Sequence, residues 1–276
     1  MSHVDFQRGA IVLAAVMFFA VSADADDAPR PLVVAHRGLL QDAPENTIAA
    51  FRSCLDLRMG FEVDVQRSRD GHLVCVHDTT VDRTTNGTGR VSDLTLKELK
   101  SLDAGSWFGT SFRNERIPTL DEIFDLLAEY QEVDVLIAVD FKGDDPKIER
   151  DVVALAERHS VLDHLLMIGR TIQTPEVRRR LREANPKTHV ATVANNPGEF
   201  ATALKDPRSD WVYVRYVPSI AEVKAVHAAG RRVFIAGSTV AGLQRDNWKT
   251  VAARGVDAIL TDYSITLSRQ LRSSAD

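Results

Sequence analysis

The sequence predicts an α/β protein, a TIM (β/α)8 barrel carrying one insertion, and three observations lead there. Eight short apolar runs alternate with eight helical patterns from Leu32 to Leu271. Such alternation makes a parallel sheet with right-handed crossovers, and eight units close it into a barrel. One apolar run, Gly71 to His77, stands outside the alternation, because it follows its neighbour too closely for a helical crossover. The competing doubly wound sheet would need fewer units and a Gly-rich first turn, which is absent.

The elements follow in order. Leu32–His36 is a short β-branched run, as expected of a strand covered on both sides. Asn46 or Thr47 caps a helix whose apolar positions Ile48, Phe51 and Leu55 recur at helical spacing, and Gly60 ends it. Phe61–Gln66 is the second strand. Asp70-Gly71 reads as a two-residue hairpin turn pairing Arg69 with His72, which sets Asp64 opposite His77 on an arm of that strand. Residues 79 to 118, rich in Thr, Asn and Gly, form an insertion expected at the catalytic mouth. Strands are then expected at 133–140, 164–168, 189–193, 211–216, 233–236 and 257–260. Helices are expected at 120–130, 146–159, 175–184, 197–204, 220–229, 246–253 and 265–271, several opening at Pro and closing at Gly.

Of 276 residues, 44% are hydrophobic and 26% charged, which is ordinary for a soluble domain with a sizeable core. The formal net charge is −5, and the one basic block, Arg178-Arg179-Arg180, lies on a solvated helix face, so nothing favours nucleic acid. The apolar run Ala10–Ser22 is too short for a membrane span, and Ala23-Asp24-Ala25 suits signal peptidase. Residues 1–25 are therefore expected to be a signal peptide. Residues 26–276 would be a single exported domain, periplasmic or extracellular, with no stable membrane span after cleavage. An uncleaved anchor is the alternative. Cys54 and Cys75 both fall in apolar patterns and read as small buried hydrophobes rather than a disulfide.

On such a barrel the chemistry sits at the C-terminal ends of the strands. His36 and Arg37 end the first strand. Glu62 and Asp64 share one face of the second, and Asp140 and Lys142 one face of the third. Three carboxylates on one mouth need a positive charge between them, and a hard divalent cation, Mg2+ or Ca2+, suits oxygen ligands. Arg37 and Lys142 suit a phosphate, and His36 and His77 suit acid–base work near neutral pH. Singly, each feature is more often a salt bridge or a structural hydrogen bond. Together, at strand ends, they spell metal-assisted cleavage of a phosphate ester.

The ordered series His36-Arg37-Gly38, Pro44-Glu45-Asn46-Thr47, Glu62-Val63-Asp64-Val65, His77-Asp78, Arg83 to Gly89, Gly105 to Phe108 and Arg116 to Glu122 resembles the glycerophosphodiester phosphodiesterase family. So does Gly255 to Asp262 near the end. The resemblance implies a TIM barrel with a characteristic insertion, one Mg2+ or Ca2+ ion, and hydrolysis of glycerophosphodiesters to glycerol 3-phosphate and an alcohol. It implies Glu62 and Asp64 as metal ligands, with Asp140 in place of the family's usual Glu. His36 and His77 would be the acid–base pair, Arg37 and Lys142 phosphate binders, and Glu45 a supporting or ligand carboxylate.

Trp107 and Phe108 are expected either to cover the apolar part of the substrate or to pack the insertion. Phe234-Ile235-Ala236-Gly237 stands where the family often shows Trp-Thr-Val-Asn, so the polar contacts expected for glycerol are missing. Arg170 and Arg215 read equally as replacements in anion binding or as solvated rim residues. Two rival readings remain. One is a phospholipase D-like hydrolase of lysophospholipids or sphingomyelin. The other is a non-catalytic barrel that binds anionic ligands.

Overall fold

A computed structural model describes residues 30–130, 132–143 and 145–273. The expected signal peptide, residues 1–25, lies outside the described residues. Eight parallel strands close into a barrel: β1 (Leu32–Ala35), β2 (Gly60–Arg67), β4 (Ile137–Phe141), β5 (Leu165–Ile168), β6 (His189–Ala194), β7 (Trp211–Val214), β8 (Arg232–Ile235) and β9 (Ala258–Thr261). The ladder runs β1-β9-β8-β7-β6-β5-β4-β2, and β2 pairs back onto β1. Each strand but β9 leads into a helix that returns the chain to the next strand: α1 (Ile48–Asp56), α3 (Leu120–Ala128), α4 (Ile148–Arg158), α5 (Pro175–Ala184), α6 (Phe200–Lys205), α7 (Ile220–Ala228) and α8 (Arg245–Ala253). After β9 the described residues close on α9 (Ser264–Ser273). The TIM barrel expected from the alternation is thus the fold.

Alternation along the strands sorts the core into layers. Val34, Ala138, Leu166, Ile168, Phe234 and Leu260 fill the barrel interior. Their neighbours Phe61, Val63, Val139 and Met167 face outward against the helices. Cys54 and Cys75 are buried free thiols on the outer side, where burial pushes both well above the ordinary thiol range. Among the described residues, no helix is long and apolar enough to cross a membrane.

β2 is longer than β1, and that difference creates the arm. β1 ends at Ala35 opposite Phe61. The edge of β2 from Val65 to Arg67 is then open, and β3 (Leu73–Cys75) pairs antiparallel there. The predicted register is off by one residue: Val65 faces Cys75, Gln66 faces Val74 and Arg67 faces Leu73. The loop has three residues rather than two, because Ser68 N donates to His72 O (2.9 Å) and Gly71 takes φ +93°. A three-residue hairpin needs that left-handed glycine. Asp70 is drawn to the insertion, where its Oδ1 accepts from Leu96 N (2.9 Å). Asp64 therefore does not lie opposite His77 in a ladder.

His77 reaches the mouth by another route. The chain leaves strand geometry after Cys75 and bends at His77–Thr79. The Gln66 side chain gathers that bend, its Nε2 donating to Val76 O (2.8 Å) and Asp78 O (2.6 Å). The insertion that follows has its own small core of Val74, Val81, Val91, Leu99 and Ile117. It contains one short α-helix, α2 (Leu96–Ser101), opened by a Thr95/Glu98 capping box.

Candidate active site

A cavity of about 340 Å³ opens at the C-terminal ends of the strands, lined by His36, Arg37, Glu62, His77, Asp140 and Lys142 among others. The predicted acid–base, metal and phosphate-binding residues thus come together, with Asp64 buried just beneath at 0% exposure. Arg170 and Arg215 also line the cavity. Arg215 lies next to Gly237, whose hypothetical Cβ would sit 3.5 Å from Arg215 Nε. Trp107 and Phe108 are not among the lining residues. They form an edge-to-face row with Phe112 on the insertion, and Trp107 Nε1 donates to Ala104 O (2.9 Å).

The carboxylates gather because β2 and β4 are neighbours in register. Asp64 pairs with Asp140, and Glu62 sits two residues back on the same face. One oxygen from each of Glu62, Asp64 and Asp140 lies within 4.8 Å of the others. Lys142 Nζ lies 2.6 Å from Asp140 Oδ2 and 2.9 Å from Asp64 Oδ1. Burial raises the Glu62 carboxyl well above its ordinary value, and the charges of Asp64 and Asp140 add to that. Asp140 is raised by burial despite Lys142. Burial pushes Asp64 upward too, but Lys142, the Asn46 hydrogen bond, His77 and Arg37 outweigh it and hold Asp64 low. For Lys142, burial works downward and is overcome by Asp64 and Asp140, so the ammonium is held above its ordinary range.

This donor set fits a hard divalent cation. The oxygens are all carboxylate, they are crowded, and the buried Asp140 Oδ1 has no hydrogen-bond partner. The backbone also makes room. Gly169, at φ +99°, lies against Asp140 so closely that a Cβ would sit 1.8 Å from Oδ1. Asn46 braces Asp64 from below, its Nδ2 donating to Oδ2 (2.7 Å) while its Oδ1 accepts from Asp64 N (3.1 Å). Sequence reading offered Asn46 only as one of two candidate caps for α1, a role that falls to Thr47, and gave Gly169 none. The only signal for Gly169 is a glycine directly after an apolar strand.

Both histidines carry a carboxylate on Nδ1. His36 Nδ1 lies 2.6 Å from Asp262 Oδ1, and His77 Nδ1 lies 2.8 Å from Asp78 Oδ1. An ionised partner there keeps the proton on Nδ1 and leaves Nε2 as the working nitrogen. Asp262 follows β9 just as His36 follows β1, and these strands are adjacent. That shared position at the strand ends is the signal by which Asp262 was readable.

Arg37 sits at φ +55°, a left-handed conformation unusual for so bulky a residue. It aims its N–H at Glu62 Oε2 (3.0 Å) and its guanidinium at Glu45 Oε1 (3.0 Å) and Asp64 Oδ2 (3.5 Å). Arg83, from the insertion, clamps Glu45 through both terminal nitrogens (2.7 and 2.8 Å) and Asp78 through Nε (2.7 Å). A continuous chain of charges therefore runs Asp64–Arg37–Glu45–Arg83–Asp78–His77. Glu45 belongs to this chain, and the metal-fit triad consists of Glu62, Asp64 and Asp140.

A TIM barrel with paired histidines, an acidic triad and cationic side chains at its mouth has the makeup of a phosphoric diester hydrolase. Residues 36–266 match the model of the Glycerophosphoryl diester phosphodiesterase family, and the chain belongs to that enzyme family. A glycerophosphodiester phosphodiesterase of Caldanaerobacter subterraneus is 53% identical over 115 residues, a stretch covering 41% of this chain and 46% of that relative. YhdW of Bacillus subtilis is 36% identical over 242 residues, 84% of this chain and 94% of its own. Among solved structures, a glycerophosphodiester phosphodiesterase from Agrobacterium tumefaciens superposes with a TM-score of 0.74 at 25% identity, covering 87% of this chain and 99% of that one. An Oleispira antarctica phosphodiesterase, solved in complex with the product sn-glycerol-3-phosphate, superposes at 0.72 and 25% identity, covering 88% and 97%.

Proposed function

We propose that this protein hydrolyses glycerophosphodiesters to glycerol 3-phosphate and an alcohol, using one divalent cation, Mg2+ or Ca2+, and His36 and His77 as the acid–base pair. The observation that carries the reading is the pair of carboxylate-backed histidines lining one cavity with the acidic triad. A protein that merely captured anions would need only the cationic residues. Family membership and the product complex of the Oleispira protein support the glycerol 3-phosphate half of the substrate.

Glu62, Asp64 and Asp140 hold the cation, which when bound neutralises the phosphodiester and polarises its oxygens. Arg37, Lys142, Arg170 and Arg215 surround the phosphate with positive charge. One histidine takes the proton from the nucleophile, either water or the adjacent glycerol hydroxyl, through its free Nε2. The other gives a proton to the departing alcohol oxygen as the P–O bond breaks. If the glycerol hydroxyl attacks, a cyclic phosphate forms and water then opens it. Glu45 and Arg83 orient Arg37 and Asp78 and touch no substrate.

Residues 1–25 act as an export signal in this reading, and the mature chain begins near Asp26, periplasmic or extracellular; N-terminal sequencing of protein from the native host checks this. For the chemistry, the assay is glycerol 3-phosphate release from glycerophosphocholine after chelation and readdition of Mg2+ or Ca2+. Chelation abolishes turnover and one of the two ions restores it. His36→Ala and His77→Ala each lower kcat by about 10²–10⁴. Undiminished turnover in either variant would sink the paired-histidine mechanism.

A further inference from the structure

The carboxylate triad and the two histidines crowd one half of the mouth, on β1, β2, β4 and the bend after β3. The other half, from β5 round to β9, is walled by Ile168, Val193, Ala236 and Leu260. Tyr213 interrupts that apolar wall and carries the one hydroxyl among the described residues that line the mouth. Nothing in the sequence marks it, because it alternates with Val212 and Val214 in an apolar run.

The ring is fixed and its oxygen is open. β7 turns Tyr213 into the barrel interior two residues above Trp211. Phe234 of the neighbouring strand packs on the ring edge to face, with 5.4 Å between centroids and 88° between planes. The side chain is only 8% exposed. Among the described residues its hydroxyl meets no hydrogen-bond partner, yet the oxygen is open to the cavity and not sealed in the wall. A buried tyrosine hydroxyl ordinarily finds a partner, and here the partner has to come from the cavity. Burial pushes the phenol up to about 12; the Arg215 charge works against that, while Asp140 and Glu62 add to it. The group is therefore a neutral O–H near neutral pH, within the field of the triad.

Its chemistry sets it apart from the cations beside it. A hydroxyl both donates and accepts, whereas the Arg170 and Arg215 guanidinium groups only donate. A free glycerol hydroxyl needs an acceptor as well as a donor. The carboxylates of the mouth are committed to the cation and to Lys142. In a glycerol 3-phosphoryl group the adjacent hydroxyl stays beside the phosphate, and the terminal one projects away from it. Ala236 and Gly237 leave the wall next to Tyr213 free of long side chains.

From this we propose that Tyr213 is a specificity residue for the glycerol half of the substrate. Its hydroxyl exchanges a hydrogen bond with the terminal glycerol hydroxyl, and so selects esters of glycerol over esters of diols that lack that group. The inference rests on the phosphodiesterase reading and extends it to a residue on the wall facing the triad.

The test compares kcat/KM of the metal-loaded full chain on glycerophosphocholine and on the 1-phosphocholine ester of propane-1,2-diol. The second ester keeps the adjacent hydroxyl and lacks the terminal one. Wild type favours the glycerol ester by about tenfold or more. Tyr213→Phe keeps the ring, its Phe234 contact and the melting temperature, and the preference collapses to within about twofold through a higher KM for the glycerol ester. A preference absent in wild type, or undiminished in Tyr213→Phe, overturns the assignment. An equal loss on both esters leaves the preference undiminished and overturns it too.

Calorimetric binding of glycerol 3-phosphate and propane-1,2-diol 1-phosphate to the metal-loaded proteins tests Tyr213 without turnover. Wild type binds glycerol 3-phosphate about tenfold more tightly, and Tyr213→Phe binds the two alike. Equal binding of both phosphates in wild type overturns the assignment. Absence of wild-type turnover on both choline esters counts against the phosphodiesterase reading instead, and the binding comparison then decides the role of Tyr213.

Discussion

At the scale of single residues, the site depends on side chains that never meet the substrate. Asp262 is the clearest. It fixes the His36 ring from β9, the strand beside β1, through a 2.6 Å contact at Nδ1. Asp262→Asn keeps the size but removes the charge that holds the proton on Nδ1. It lowers kcat by about 10²-fold or more while KM stays within a few-fold. A rise in KM with kcat unchanged would show a merely structural contact instead.

Gly169 acts by absence. Its φ of +99° and the 1.8 Å approach of a hypothetical Cβ to Asp140 Oδ1 leave no room for a side chain. Gly169→Ala therefore pushes the Asp140 carboxylate out of the triad and strains the backbone by about 1 kcal/mol or more. The measurable result is metal affinity, titrated calorimetrically, falling at least tenfold, with a lower melting temperature. None of this is visible in the sequence, because neither a glycine's φ nor the neighbour it makes room for is encoded in local pattern. His36, Glu62, Asp64 and Lys142 were legible because each ends or lines a strand of predictable period.

The elements show where pattern reading succeeds and where it slips. Helix and strand order followed from periodicity and from Pro and Gly punctuation. Strand β4 starts late, at Ile137 rather than 133. Its ladder begins only where β2 can pair, and Gly60 packs against the Leu136 carbonyl. The hairpin register slipped by one because the turn is held from outside, by Leu96 of the insertion on Asp70. A local dipeptide carries no record of a partner 26 residues away.

What rescues His77 is Gln66, on the buried end of β2, which collects the carbonyls of the bend. Gln66→Leu fills the same volume without the amide. The bend then loses its donor and His77 its position, so kcat drops about tenfold or more while the barrel keeps its far-ultraviolet circular dichroism. The scale of the loss follows from the sensitivity of a reaction to displacement of its catalytic groups. Full activity in Gln66→Leu would mean that His77–Asp78 hold the bend unaided.

Across the whole molecule, the barrel and the insertion are joined by charge as well as by packing. Arg83 belongs to the insertion, while Glu45 belongs to the loop after β1. Burial pushes the Glu45 carboxyl upward, but hydrogen bonds and charge from Arg83 and Arg37 outweigh it and hold Glu45 below its ordinary value. The hydrogen bond from Arg83 does most to depress Asp78, which is held lower still, with His77 assisting. A carboxyl whose folded pKa is depressed binds fewer protons folded than unfolded. It therefore contributes stability above the unfolded carboxylate range, about pH 4, and loses it as pH falls through the folded value.

Acidification should thus loosen the insertion from the barrel and disturb His77 through Asp78. Arg83→Gln removes the shared partner, so both carboxyls return toward ordinary values and the pH-linked stability shrinks. Melting temperatures measured from pH 7 down to pH 2 give the readout. Wild type is well above Arg83→Gln at neutral pH, and the gap closes below about pH 4 as the carboxylates protonate in both proteins. A gap that stays constant over that range would mean that Arg83 holds the insertion by packing alone, and that charge does not couple it to the catalytic mouth.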